Sequence, residues 1–353
     1  MRKKTALFLA AAAVCTMLTA GIPTAYGAVG IDLKREGKIT FTLDQGALRP
    51  GELADETYTG YYEELSNAFS EGTSLNVRIY QVAEVDAGGQ YTLLRDYRGK
   101  GLDGLETADS QTAAASWSEW ALAAEAVSEA ETGPEAADEI QIQKGADGVV
   151  AGVSEGLLPG MYLACFASVD SPEYTYSFAP YLIPLPNNYY RGGMGEDEWI
   201  YGDEEGKPLA VGLKPERKDR YGNLVIDKTL TSWHETLQGA SFVFEIKAEK
   251  EDQVVYNDVV SLNFDQAGTM SRTIEGIPAG AKVTVTEIYS GGSYEQTGAG
   301  MPEGDIIRAD GEIHAAFTNQ YDGRLNQGGI SVVNHFTYEK DTNGNDVLNW
   351  EKQ

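Results

Sequence analysis

Residues 223–230 read NLVIDKTL, and the lysine in this stretch alternates in phase with apolar side chains. Alternate residues of a β-strand point to the same face of the sheet, so Lys228 shares a face with Leu224 and Ile226. An alternating segment of this kind is typical of a strand that buries its apolar face in a core. The pattern therefore predicts a strand that carries a lysine into the interior of the protein.

Two later segments have the same irregularity. In residues 282–288 the alternating apolar positions continue into Glu287, and in residues 313–321 they include Asn319. Each of these polar side chains is costly to bury alone. The ordinary alternative is a surface lysine, a glutamate at a strand end and an asparagine in a turn. The inward phase shared by all three favours a common site in one core.

Such a site has a specific chemistry. Burial favours the uncharged amine of Lys228, and a neutral amine can attack the carboxamide carbon of Asn319. We expect Glu287 to polarise the amide carbonyl and to move protons. Ammonia then leaves and a Lys–Asn isopeptide bond remains. Asn334 is an alternative acceptor, because it alternates in phase with apolar neighbours in residues 330–336.

The remaining pattern predicts an all-β protein with two Ig-like β-sandwich domains in tandem. Short alternating segments separated by turns recur through residues 37–205 and again through residues 221–322. One Ala-rich segment, residues 109–131, has apolar residues at three- and four-residue spacings and predicts an amphipathic helix inserted in the first domain. Asp109 or Ser110 is the expected helix cap.

The ends and the middle of the chain differ in composition from these domains. Residues 1–27 combine a basic start, an apolar run and a small-residue cleavage site, which is typical of a secretory signal peptide. Residues 206–220 are rich in Gly and charge and predict a linker. Residues 323–353 predict one more strand and a hairpin, which could complete the second domain. We therefore expect a secreted, extracellular protein, either free or associated with the cell surface without an anchor of its own.

Composition excludes several kinds of partner and site. The 353 residues carry a net charge of −27, which disfavours nucleic acid and anionic lipid. Loss of the signal peptide leaves Cys165 as the one cysteine, so no internal disulfide can form. No later apolar run is long enough to span a membrane. Calcium binding by residues 341–346 is disfavoured, because Asn343-Gly344 is a hairpin turn and the Gly is misplaced for an EF-hand. We predict no metal or other cofactor.

The three polar residues lie in motifs that resemble a known family. Residues 225–229 (VIDKT), 283–287 (VTVTE) and 317–321 (FTNQY) are similar to the Lys, Glu and Asn motifs of Cna-B-type and streptococcal pilin isopeptide-linkage domains. Residues 37–205 resemble the N-terminal domain of Gram-positive sortase-assembled pilins, through the segments 156–163, 178–186 and 199–201. The resemblance implies two Cna-B-like sandwiches, with a bond between Lys228 and Asn319 formed with the help of Glu287.

The resemblance also implies a structural or adhesive function. The chain would be a pilin-like subunit or a pilus-associated protein, with other subunits or the sortase machinery as partners, and the single bond-forming event would not make it an enzyme. The alternatives are a freestanding adhesin for a host or glycan ligand and, less favoured, a secreted hydrolase.

The sequence departs from the family at several points. No sorting signal is found at the C-terminus, and Lys214 and Lys207 precede prolines, whereas the family's assembly lysine follows one. These two lysines are the candidates for that role. In the first domain, Phe166 occupies the position of the family's glutamate and Lys38 faces away from the apolar side. We therefore predict no isopeptide bond in the first domain.

Overall fold

The computed structural model divides the chain into two compact units, Met1–Ser171 with Tyr176–Arg217, and Pro172–Thr175 with Lys218–Gln353. Strands outnumber helices in both, which confirms the mostly-β fold class. The structure describes residues 30–43, 56–69, 72–109, 111–187, 199–235, 239–298, 300–324, 335–340 and 346–351.

The first unit is built on one large sheet. The strands up to residue 219 are β1 (Ile39–Thr42), β2 (Leu75–Val85), β3 (Tyr91–Leu93), β4 (Asp138–Lys144), β5 (Val150–Val153), β6 (Gly160–Phe166), β7 (Val169–Asp170), β8 (Tyr174–Phe178), β9 (Tyr181–Leu185), β10 (Leu209–Gly212) and β11 (Pro215–Asp219). The eight-stranded sheet has the order β10-β1-β5-β4-β2-β6-β9, with β3 paired to β2. The strands β11, β8 and β7 form the smaller sheet.

In the described part of the chain, two α-helices accompany these strands, α1 (Glu56–Phe69) and α2 (Ala114–Ser128). The helix α2 buries Trp117, Ala121 and Ala124 in a core shared with β2 and β6, as expected for the predicted amphipathic helix. It begins later than predicted, with Ala113 in the cap position and no capping side chain. Asp109 instead accepts a hydrogen bond from the backbone of Gln111. The helix α1 was not predicted, and Ser110 lies outside the described residues.

The second unit is a sandwich of two four-stranded sheets. Its strands are β12 (Tyr221–Leu230), β13 (Ala240–Lys250), β14 (Gln253–Phe264), β15 (Gly268–Pro278), β16 (Lys282–Tyr289), β17 (Tyr294–Gln296), β18 (Met301–Ile306) and β19 (Glu312–Tyr321). One sheet has the order β15-β12-β19-β17 and the other β14-β13-β16-β18. A further antiparallel pair is formed by β20 (His335–Lys340) and β21 (Asp346–Glu351).

The core of the second unit lies between the two sheets. Ile226 and Phe317 come from one sheet, Phe242 and Val283 from the other, and all four are buried in the same cluster. The first strand of the sandwich, β12, pairs in parallel with the last, β19, at the centre of its sheet. Residues far apart in sequence are therefore neighbours in the middle of the core.

The interpretation of residues 206–220 as a linker is corrected by the structure. The strand β10 lies within this range and pairs in parallel with β1, so its backbone groups complete the large sheet of the first unit. Residues 174–185 form two strands, β8 and β9, which end and begin on either side of Ala179 and Pro180.

Several predicted features cannot be placed. The signal peptide (residues 1–27), the alternative acceptor Asn334 and the turn of the C-terminal hairpin lie outside the described residues. Within the described part of the chain, no helix is long and apolar enough to cross a membrane. No group of three metal-binding side chains was found there either.

The packing of α2 predicts a contrast between two of its residues. Trp117 is 3% exposed, so Trp117→Ala should leave a cavity and lower the free energy of unfolding by about 3–5 kcal/mol. Leu122 is 55% exposed, and Leu122→Ala should change it by less than about 0.5 kcal/mol. Urea unfolding of the full chain, followed by far-UV circular dichroism, measures both. Equal effects of the two substitutions would contradict the packing.

Candidate functional site

The two sheets of the second unit bring three polar side chains together in its core. Lys228 lies on β12 and Asn319 on the neighbouring β19, where their partners in the parallel register are Phe317 and Leu230 respectively. Both side chains share the inward face, two positions apart along paired strands. Glu287 reaches them from β16 in the opposite sheet.

The three side chains form a closed ring of contacts. The Nζ of Lys228 donates a hydrogen bond to Glu287 Oε2 at 2.8 Å and another to Asn319 Oδ1. The Nδ2 of Asn319 donates to Glu287 Oε1 at 2.6 Å and more weakly to the backbone oxygen of Ser290 at 3.4 Å. The side chains of Lys228 and Glu287 are both 0% exposed, and Asn319 is also fully buried. The nitrogen nucleophile therefore touches the amide that it would attack.

Aromatic rings surround the amine. The Nζ of Lys228 lies 4.3 Å from the ring centroid of Phe242 and 5.6 Å from that of Phe244. Phe244 in turn contacts Phe317, with ring centroids 4.9 Å apart. Apolar walls leave the amine with little solvation other than its two polar partners. The alternation of residues 240–248 places both β13 phenylalanines on the inward face, but it does not by itself assign their rings to the site.

Burial lowers the pKa of Lys228, and its hydrogen bond to Glu287 opposes this effect. A lowered pKa favours the neutral amine, which is the nucleophilic form. Glu287 contacts Nζ with one oxygen and Nδ2 with the other, so it can accept a proton from the amine and deliver one to the amide nitrogen.

The expectation that Glu287 polarises the amide carbonyl is corrected by this geometry. The carbonyl oxygen of Asn319 is contacted by Lys228 itself, whereas Glu287 contacts the amide nitrogen. Glu287 therefore lies between the two nitrogens and not beside the carbonyl oxygen. Side-chain direction across two sheets decides this, and the alternation of one strand does not reveal it.

A second polar network lies on the outer face of the same sheet. Asp227, next to Lys228 in sequence, contacts His314 Nδ1 at 2.7 Å through one oxygen and Ser271 through the other. His314 also lies 3.1 Å from Glu312. The hydrogen bond that the His314 ring donates to the Asp227 carboxylate raises the pKa of His314. These contacts join β15, β12 and β19 behind the buried cluster.

The candidate assembly lysines, Lys214 and Lys207, lie outside the buried cluster of Lys228, Glu287 and Asn319. Lys214 is half-buried, and its backbone nitrogen donates to the hydroxyl of Tyr181 at 3.2 Å. Lys207 is exposed and lies 3.6 Å from Glu204 in an ion pair. The exposed ammonium group of Lys207 is thus accessible from solvent.

In the first unit, Lys38 is exposed and points away from the core. Phe166 packs its ring against Phe41 and Tyr181, with centroids 5.6 and 5.0 Å away. Cys165 is buried, and burial raises the pKa of its thiol. The exposure of Lys38 agrees with the prediction that it faces away from the apolar side, and the absence of a bond in this unit stays a prediction.

Comparison with known proteins gives one family match. Residues 224–322 match a domain of unknown function, DUF5979, which covers the sandwich of the second unit and less than a third of the chain. A search of curated proteins found no match.

Solved structures of several bacterial surface proteins are similar to the chain at low identity. A Mobiluncus mulieris adhesin that contains intramolecular disulfide, isopeptide and ester bond cross-links is 12% identical, with 70% of this chain and 84% of that one covered and a TM-score of 0.23. A Streptococcus pyogenes major pilin is 13% identical, with coverage of 83% and 100% and a TM-score of 0.24. The Bacillus anthracis TIE protein is 15% identical, with coverage of 59% and 35% and a TM-score of 0.24. Identities and scores this low carry no inference about function, which has to come from the buried cluster.

Proposed function

We propose that the protein is a secreted structural or adhesive component of a Gram-positive cell surface, pilin-like or pilus-associated, whose second unit is locked by an isopeptide bond between Lys228 and Asn319. The observation that carries the proposal is the closed ring of contacts among Lys228, Glu287 and Asn319, whose side chains are not exposed to solvent. A nucleophile, an acceptor and a proton carrier are thereby held in contact before any reaction.

The reaction balances without a cofactor. Glu287 takes a proton from Lys228 Nζ, and the neutral amine attacks the side-chain carbonyl carbon of Asn319. The new C–N bond forms as the bond to Nδ2 breaks. Glu287 returns that proton to Nδ2, which leaves as ammonia, and then takes the second proton that Nζ loses as the new amide forms, so the isopeptide bond keeps one N–H and Glu287 ends protonated. Because the lysine and the asparagine are consumed, the bond forms once per chain and the protein is not a turnover enzyme.

The position of the bond suits a protein that resists force. It would join the first and last strands of the sandwich, which are parallel neighbours, and would close a loop across a separation of 91 residues. A tension applied to the two ends of the sandwich would then pass directly through a covalent link between β12 and β19. Closure of such a loop stabilises the fold by roughly 4–5 kcal/mol through the unfolded chain.

Other features of the sequence support a place outside the cell. The N-terminal segment is typical of a signal peptide. An isopeptide bond also stabilises a chain that keeps only Cys165 after cleavage and has no disulfide available. Other surface subunits and the sortase machinery are the proposed partners, and Lys214 or Lys207 would supply the amine for covalent assembly.

The mass of the purified mature protein tests the bond. We expect wild type to be lighter than its calculated mass by one ammonia, because Nδ2 of Asn319 is expelled. Glu287→Gln should keep the full mass, since an amide cannot carry the proton between the two nitrogens. Glu245→Gln on the exposed face of β13 is the matched control and should show the same deficit as wild type. A full mass for the wild-type protein would refute the bond.

The bond should also be visible in stability. We expect Glu287→Gln to unfold more easily than wild type by at least roughly 4 kcal/mol, because it lacks the covalent loop and has a disrupted buried pair. Guanidinium unfolding of the full chains measures the difference. To separate the two effects, the double variant Lys228→Met, Glu287→Gln serves as an uncrosslinked reference in which neither buried charge remains. A crosslink that left wild type no more stable than this double variant would contradict the proposed structural role.

Immunoblots of boiled cell-wall extracts test the place of the protein on the cell. A ladder of covalent multimers that is lost in the Lys207→Arg, Lys214→Arg double variant would support a polymerised subunit. A single monomer band together with host-glycan binding by the purified chain would instead support the freestanding adhesin. Recovery only from the cytoplasm would contradict both.

A further inference from the structure

The turn between β16 and β17 supplies a group that the proposed reaction has not yet used. The Nδ2 of Asn319 carries two hydrogens, and they have two acceptors, Oε1 of Glu287 at 2.6 Å and the backbone oxygen of Ser290 at 3.4 Å. A backbone carbonyl accepts hydrogen bonds and never donates them. The oxygen of Ser290 therefore recognises an N–H at this position.

The turn is held in place by its own geometry. Gly291 has φ of +84°, a conformation that favours glycine, and a Cβ there would lie 3.0 Å from Cδ2 of Tyr294. The backbone nitrogen of Asp322 donates to the oxygen of Ser293 at 3.0 Å, which ties the turn to the end of β19. The Ser290 carbonyl is thus positioned by backbone on both sides.

The same turn lies beside the nitrogen that is expelled. Ser290 and Gly291 are half-buried and Gly292 is exposed, whereas the ring of contacts itself is closed to solvent. Ammonia released from Nδ2 would be formed against this turn.

On the basis of the proposed function, we infer that the turn around Ser290 and Gly291 is the leaving-group site of the second unit and makes the reaction selective for a carboxamide acceptor. An aspartate at position 319 would set a carboxylate oxygen against the Ser290 carbonyl oxygen with no hydrogen between them, and a second negative charge beside Glu287. Two oxygen acceptors that face each other in a buried site without a hydrogen between them raise the free energy of the site. The Ser290 carbonyl is a positioning group for the amide.

The test compares the rate of crosslinking in Asn319→Asp and wild type. Full-length chains are made by cell-free translation, quenched in acid at intervals, and the crosslinked fraction is read by mass spectrometry. Both chains yield the same crosslinked product, one by loss of ammonia and the other by loss of water. We expect the aspartate chain to react at least about tenfold more slowly. Equal rates would overturn the inference.

A second pair of variants isolates the turn from Glu287. Gly291→Ala should displace the Ser290 carbonyl, so it should lower the ratio of the Asn and Asp rates severalfold. Gly292→Ala is the matched control, because a Cβ there has only the Tyr289 hydroxyl within 4 Å, at 3.8 Å, and this ratio should stay unchanged. If Gly291→Ala leaves the ratio of the Asn and Asp rates unchanged, the proposed role of the turn is overturned.

The outcomes separate this inference from the proposed function. If the wild-type chain never loses ammonia, the proposed function fails. If wild type crosslinks but aspartate reacts equally fast, only the inference about the turn fails. If Gly291→Ala does not fold, the comparison of Asn319→Asp with wild type still tests the inference, because the turn is unaltered in both chains and the Asn and Asp side chains have the same shape.

Discussion

The buried contact of Lys228 with Glu287 and Asn319 is the constraint on which the second unit depends. An ammonium and a carboxylate with no exposure are stable in a core only while each has its partner, and removal of one leaves an unpaired charge. The packing must therefore keep β12, β16 and β19 in one register. Conversion of the contact into a covalent bond would make that register permanent and would remove the cost of the buried lysine charge.

The surroundings of the cluster follow from this constraint. Phenylalanine rings exclude water on the amine side, so the pKa of Lys228 falls and its nucleophilic form becomes accessible. The backbone carbonyl of Ser290 completes the hydrogen bonding of the amide. On the solvent side, Asp227 and His314 tie β12 to β19 across the same part of the sheet. Each neighbour either holds the three side chains in place or shields them from solvent.

Prediction from sequence succeeded where a local period was present. Alternation in residues 223–230 and 313–321 identified β12 and β19, and helical spacing identified α2. It failed for α1, whose pattern was not recognised, and for β10, where four residues in a Gly-rich stretch look like linker until β1 supplies a partner. Short strands such as β17 are defined by their neighbours in the sheet, so their own residues carry little signal.

The sequence by itself determined that a lysine, a glutamate and an asparagine face the interior, because a period of two residues fixes the face to which a side chain points. Only the tertiary structure decided that the three meet. The parallel pairing of the first and last strands sets Lys228 beside Asn319, and the packing of the opposite sheet sets Glu287 against the amide nitrogen and not the carbonyl oxygen. Those distances depend on contacts between residues about 30 to 90 positions apart, which no local pattern encodes.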